Sequence, residues 1–198
     1  RGADNRIVFN EILAHTDLPA VDQFELYNQT GSSVSLSGWF ISDDNNEYKK
    51  YQIADGTDLA TGAFLTIDEG SFNSGTNLID FALNSASGDD LYLLDADGFG
   101  NLLSFVDRAE FGASANGESF GRWPDGTGDF YPMQSQTFGQ LNNTGGNHVR
   151  VGSVVVSEVM YNPAADPDND LEFVEICNGG TSTESLANWR LRGEADFD

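Results

Sequence analysis

Phe24-Glu25-Leu26-Tyr27-Asn28 decides the fold, because the chain contains this stretch twice. Val174-Glu175-Ile176-Cys177-Asn178 repeats it position for position, and residues 22–41 align without a gap on residues 172–191. In both copies a glutamate interrupts apolar neighbours, the alternation of a strand with two different faces. Leu36 matches Leu186, and Trp39 matches Trp189. Upstream, Ile7-Val8-Phe9-Asn10-Glu11-Ile12 matches Val154-Val155-Val156-Ser157-Glu158-Val159. The loop rich in Pro and Asp that follows is longer by three residues in the second copy. Such repetition marks a duplicated structural unit. The expected organisation is one complete domain over residues 6–143 and a linker over 144–152 containing Gly145-Gly146-Asn147. Residues 153–198 would then be the first strands of a second, incomplete domain.

Between the copies, short apolar and aromatic runs recur, separated by Gly, Asp and Asn clusters. Strands are expected over residues 7–13, 24–27, 39–41, 51–53, 64–67, 90–94 and 102–106. The segment Asp95-Ala96-Asp97-Gly98-Phe99-Gly100-Asn101 reads as the loop of a hairpin, since Asp and Gly tolerate turn backbone. No stretch of 11 or more residues has helical apolar spacing. The pattern predicts an all-β fold, a sandwich or barrel. Trp39, Leu36, Phe24 or Leu26, Phe64, Leu93 and Phe111 are the expected core, and Trp189 needs burial for the same reason.

Composition narrows function. The chain has 198 residues and a net charge of −23, from 32 acidic against 9 basic residues. That balance argues against nucleic acid, whose phosphates are held by Lys and Arg, and against an anionic membrane surface. No apolar run approaches the ~20 residues of a membrane span. Solvated surface carboxylates, a divalent cation or a saline habitat fit the charge better. Cys177 is the single cysteine, so no disulfide closes within the chain. The chain begins at Arg1 without Met or signal peptide, and it reads as a processed or excised piece.

The order of these motifs resembles the lamin tail domain. Asn10-Glu11-Ile12, then Phe24-Glu25-Leu26-Tyr27-Asn28, then Leu36-Ser37-Gly38-Trp39-Phe40-Ile41-Ser42-Asp43 is similar to its opening. Phe81-Ala82-Leu83-Asn84 and Gly88-Asp89-Asp90-Leu91-Tyr92-Leu93-Leu94-Asp95 resemble its central hairpin. Gly121-Arg122-Trp123-Pro124-Asp125-Gly126-Thr127-Gly128 resembles its closing loop. Thr137-Phe138-Gly139-Gln140-Leu141-Asn142 resembles its terminal Thr-Pro-Gly-x-x-Asn, with Phe138 in place of Pro. The resemblance implies an immunoglobulin-like antiparallel β-sandwich without catalysis, of the kind found in secreted and surface proteins of bacteria and archaea. No lamin-like heptad rod is present.

Candidate sites follow from chemistry. Glu11, Asp22 and Glu25 are candidates for a calcium site near the first interstrand loop, since calcium takes six to eight oxygens. Glu158 and Glu175 repeat the pair, and Asp166, Asp168, Asp170 and Glu172 alternate in the loop between them. That loop is not an EF-hand: its sixth position is Leu171 and its twelfth Cys177. Trp123, Tyr131 and Asp125 are the candidates for binding carbohydrate. Neither His15 nor His148 sits in a metal-ligand pattern, and no Gly-x-Ser-x-Gly elbow appears. Cys177 replaces Tyr27 in the repeat and reads as a packing residue. The expected function is a non-enzymatic structural or interaction module of a prokaryotic secreted or cell-surface protein, able to build a filament or surface layer. Its expected partners are other domains or copies of the same protein. The alternatives are a carbohydrate- or ligand-binding accessory domain, or a piece of an extracellular hydrolase whose catalytic domain lies elsewhere.

Overall fold

The structure, a computed structural model, describes residues 7–150, 152–161, 172–187, 189 and 191. The chain divides into two units after Arg150. The first contains β1 (Ile7–Leu13), β2 (Gln23–Asn28), β3 (Val34–Ser35), β4 (Phe40–Ser42), β5 (Tyr51–Gln52), β6 (Asp58–Leu59) and β7 (Phe64–Asp68). A single helical turn, α1 (Glu69–Phe72), precedes β8 (Asp89–Ala96), β9 (Leu102–Phe111), β10 (Ser119–Trp123) and β11 (Asp129–Pro132). The second unit holds β12 (Val154–Met160) and β13 (Phe173–Asn178).

Two antiparallel sheets of the first unit enclose one core. One runs β11-β10-β1-β2-β7, the other β5-β4-β8-β9, and β3 and β6 form a small separate ladder. Phe9, Phe24, Ile67, Leu91, Leu93 and Phe111 meet between the sheets. The rings of Phe9, Phe24, Phe72 and Phe81 run through this core at centroid spacings of 5.7, 5.3 and 4.9 Å. Burying each such ring contributes about 1.5–3 kcal/mol. The turn α1 is capped by Asp68, whose carboxylate accepts the Ser71 N–H at 3.0 Å, and it delivers Phe72 to the core.

β1 is buried along its whole length. Its register with β2 shifts between Phe9 and Glu11, so Asn10 is an extra, bulged residue. Side chains alternate along a strand, and a bulge resets that alternation. Ile7 and Phe9 face the core before the bulge; Ile12 and Ala14 face it afterwards. If Asn10 were instead paired in regular alternation, the phase set by Ile7 and Phe9 would drive Glu11 into the aromatic core. The bulge places Glu11 on the outer face instead. There it lies opposite Glu25, whose neighbours Phe24 and Leu26 point inward.

Phe64 corrects one expectation. Phe24 pairs with Ile67 and Leu26 with Leu65, so the core face of β7 is the odd-numbered one. Phe64 points outward and stacks on Tyr27 at 4.7 Å. The expected phase was off by one residue, which moves a strand side chain to the opposite face. Trp39 packs half-buried against the core, while Leu36 is fully inside it. The β8–β9 hairpin turns on Asp97, whose carboxylate accepts the N–H groups of Phe99 and Asn101, each at 2.9 Å. Turn chemistry accounts for this acidic loop, and Asp97 is lowered below the usual range chiefly by the Asn101 side chain.

After β11 the chain crosses the outer face of the five-stranded sheet. Met133 and Val149 bridge its two ends, and Arg150 donates its N–H to the Pro132 carbonyl at 2.7 Å. Asn147 is buried and bonds Ser135 and Asn142. Residues 144–150, expected in the linker, are therefore tied to the first unit.

The second unit reproduces the opening of the first. β12 and β13 are antiparallel, and their register shifts between Val156 and Glu158, one bulged residue (Ser157) at the place of Asn10. Exposure differs sharply. Phe9, Ile12 and Leu26 are at 0%, whereas their counterparts Val156, Val159 and Ile176 are at 49%, 55% and 47%. Trp189, expected to be buried, is exposed, and so is Cys177, which was expected to pack. Cys177 takes the outward position of Tyr27. No helix among the described residues is long and apolar enough to cross a membrane.

Candidate functional site

The strongest concentration of buried polar chemistry lies where the segment 133–147 covers β1 and β2. Glu11 and Glu25 are directly paired across these strands and both are at 0% exposure. Glu11 accepts from Ser119 Oγ at 2.6 Å, from Thr137 N at 2.9 Å and from Thr137 Oγ1 at 3.0 Å. Glu25 Oε2 accepts the Gly139 N–H. Glu25 Oε1 is buried without a hydrogen-bond partner. The Thr137-Phe138-Gly139 hook thus lays two backbone N–H groups and a hydroxyl onto the carboxylate pair.

Neighbouring side chains hold the hook in place. Asn142 donates through Nδ2 to the carbonyls of Asn10 at 2.9 Å and Arg122 at 3.0 Å, and its Oδ1 accepts from Thr137 Oγ1 at 3.0 Å. Asp125 accepts the Asn142 N–H at 2.7 Å and the Asn10 Nδ2 at 3.1 Å. Gly121 lies opposite Glu11 on β10, and its lack of a side chain lets Met133 and Asn142 settle above it.

The bulge needs a second clamp. The β1–β10 ladder pairs residues 11 to 13 of β1, so Phe9 finds no backbone partner on that side. Asp107 Oδ2 accepts the Phe9 N–H at 2.9 Å, and Arg122 Nε donates to the Phe9 carbonyl at 2.8 Å. Arg122 Nη2 closes the arrangement on Asp107 at 2.9 Å, with the guanidinium stacked over Phe130.

Electrostatics follow from burial. Loss of water pushes the Glu11 carboxyl above its ordinary value, against the pull of the Ser119 and Thr137 bonds. Glu25 is pushed up to about 8, first by burial, and the charges of Glu11 and Asp125 add to the shift. The two carboxyls act as a coupled pair.

The expected calcium residues are brought together only in part. Glu11 and Glu25 meet, but both Glu11 oxygens and Glu25 Oε2 already receive N–H and O–H donors, which a cation bound there would displace. Asp22 stands apart from them: it accepts from Thr16 Oγ1 at 2.8 Å, and burial raises its carboxyl. Glu158 and Glu175 pair in the second unit and are exposed, with Ser157 Oγ donating to Glu175 Oε1 at 2.6 Å. Glu172 is exposed. Asp166, Asp168 and Asp170 lie outside the described residues. Among the described residues no three His, Cys, Asp or Glu side chains are grouped to hold a metal. Of the carbohydrate candidates, Asp125 is committed to Asn10 and Asn142, while Trp123 is half-buried on β10 and Tyr131 is exposed. The sequence reading missed Asp107, Arg122, Ser119 and the hooking role of Thr137 and Gly139. The signal was present in the terminal Thr-x-Gly-x-x-Asn, whose residues prove to be the donors.

Two antiparallel sheets, a bulged first strand and a hooked closing segment define an immunoglobulin-like β-sandwich module. The lamin tail domain family model matches residues 1–111, more than half of the chain, and the chain belongs to that family. Comparison with curated proteins and with solved structures gives no match.

Proposed function

We propose that the chain is a non-catalytic interaction module of a secreted or cell-surface protein, and that it associates through its second unit with strands of another lamin-tail unit. The observation that carries this reading is the repeat itself. β12 and β13 have the register and bulge of β1 and β2, yet Val156, Val159 and Ile176 are exposed where Phe9, Ile12 and Leu26 are covered. Apolar residues on a two-stranded ladder gain stability only when another sheet layer covers them. In the first unit that layer is the β5-β4-β8-β9 sheet, so the chemistry of the partner is a second apolar sheet face. Stacking of the second unit on such a face, repeated head to tail between copies, would build a filament or layer. The net charge of −23 fits a well-solvated surface and opposes nucleic acid as a partner.

Sedimentation of the full chain over a wide concentration range tests the reading. Mass should rise with concentration, and Ile176→Asp should hold the protein monomeric while leaving the first unit folded. A wild-type chain that stays monomeric into the high micromolar range would refute it.

A further inference from the structure

Two acidic side chains placed directly opposite one another on neighbouring strands sit about 4.5–5.5 Å apart at Cβ and repel when both are charged. In water the cost is small. Glu11 and Glu25 are both shut away from water, where repulsion is poorly screened. The segment that shuts them in, residues 133–147, contains no charged residue and offers only N–H and O–H donors. The donors are divided unequally. Glu11 is held as an anion would be, by Ser119 and by two groups of Thr137. Glu25 has the Gly139 N–H on one oxygen and an unpartnered Oε1 on the other. A buried oxygen without a partner costs far more on a charged carboxylate than on a neutral carboxyl. The other groups facing Glu25 do not relieve it: Asp125, in the β10–β11 loop, is acidic, and the cross-strand neighbour on β7 is Thr66.

We propose that Glu11 and Glu25 form a one-proton latch: the segment 133–147 closes over the pair while the two carboxyls share a single negative charge, and lifts when the second one ionises. Glu25 is the group that holds the proton and Glu11 the one that anchors the hook as an anion. The position of Glu25 near 8 places the switch just above neutral pH. Closing favours proton uptake, and a rise in pH favours the open form by the same linkage. Opening frees Thr137, Gly139 and Asn142 and uncovers the outer face of β1 and β2 without touching the aromatic core on the other side. The latch is independent of the assembly proposed above.

Amide hydrogen exchange of the full chain, followed by NMR from pH 6 to 9.5 and corrected for base catalysis, tests it. Protection of the Gly139 amide should fall at least tenfold between pH 7 and 9, while the Leu91 and Leu93 amides in β8 keep theirs. Glu25→Gln, which carries no charge, should hold Gly139 protection level across the range. Glu11→Gln removes the repelling charge, so an ionised Glu25 is then the single charge beneath the segment and the loss of Gly139 protection between pH 7 and 9 should shrink to about threefold or less, which decides the matter if Glu25→Gln does not fold. Flat protection of Gly139 in the wild type, an unchanged profile in either variant, or parallel loss at Leu91 and Leu93 would overturn the latch.

Discussion

Gly121→Ala tests the packing of the closing segment directly. A Cβ at this position would stand 2.7 Å from Met133 Cγ, 2.9 Å from Met133 Sδ and 3.0 Å from Asn142 Cγ. Met133 is flexible but buried, and Asn142 is pinned by hydrogen bonds to Asn10, Arg122, Thr137 and Asp125. The added methyl therefore cannot be absorbed by a swing into solvent. Overpacking of this kind costs about 1–3 kcal/mol. Replacing glycine also stiffens the unfolded chain, a gain of about 0.4–1 kcal/mol that offsets part of the loss. The expected net destabilisation is about 1 kcal/mol, or roughly 2–4 °C in melting temperature for a unit of this size. Urea denaturation with a double-mutant cycle separates the mechanism from a general strand effect. If the clash with Met133 is the cause, Gly121→Ala combined with Met133→Ala should be at least about 1 kcal/mol better than the sum of the two single effects. A single variant within about 0.5 kcal/mol of wild type, or a cycle that closes to zero, would refute the reasoning.

Three further outcomes are expected. Asp107→Ala leaves the Phe9 N–H without its acceptor and Arg122 without its carboxylate, and should cost about 3 kcal/mol in chemical denaturation. Because folding raises Glu25 from an ordinary 4.5 to about 8, its contribution to stability is full below pH 4.5 and is lost as pH climbs to about 8, where it levels off. Denaturation midpoints measured from pH 4.5 to 9 should decline through that window in the wild type and less steeply in Glu25→Gln. Millimolar calcium should leave the Thr137 and Gly139 amide resonances in place, since the pair already takes N–H and O–H donors; a calcium-dependent shift at either amide would revive the cation reading.

The sandwich was legible because its strands carry their own period. Residues 7–13 were expected as a strand and form one, and the hairpin about Asp97 was readable from its Asp-Gly loop. The errors have physical causes. Phe64 was misplaced because a period of two fixes alternation but not which face is inner, and that is set by pairing with β2. Residues 121–128 were read by resemblance as a closing loop, yet residues 121–123 lie in β10; pairing with β1 on one side and β11 on the other overrides the weak strand propensity of Gly121. The bulge at Asn10 left no local signature, although the placement of Glu11 depends on it.

The repeat separates what a strand pair determines from what its surroundings determine. β1–β2 and β12–β13 share register, bulge position and a facing glutamate pair, so those features belong to the local sequence. Burial does not recur. Glu11 and Glu25 are enclosed only because residues 133–147 lie over them, while Glu158 and Glu175 remain in solvent. Carboxyls in water keep their charge and solvate it, whereas the same pair beneath a charge-free segment must share a proton. The glutamates recorded twice in the sequence thus acquire their special chemistry from a third element, the Thr-x-Gly hook, that the described second unit does not contain.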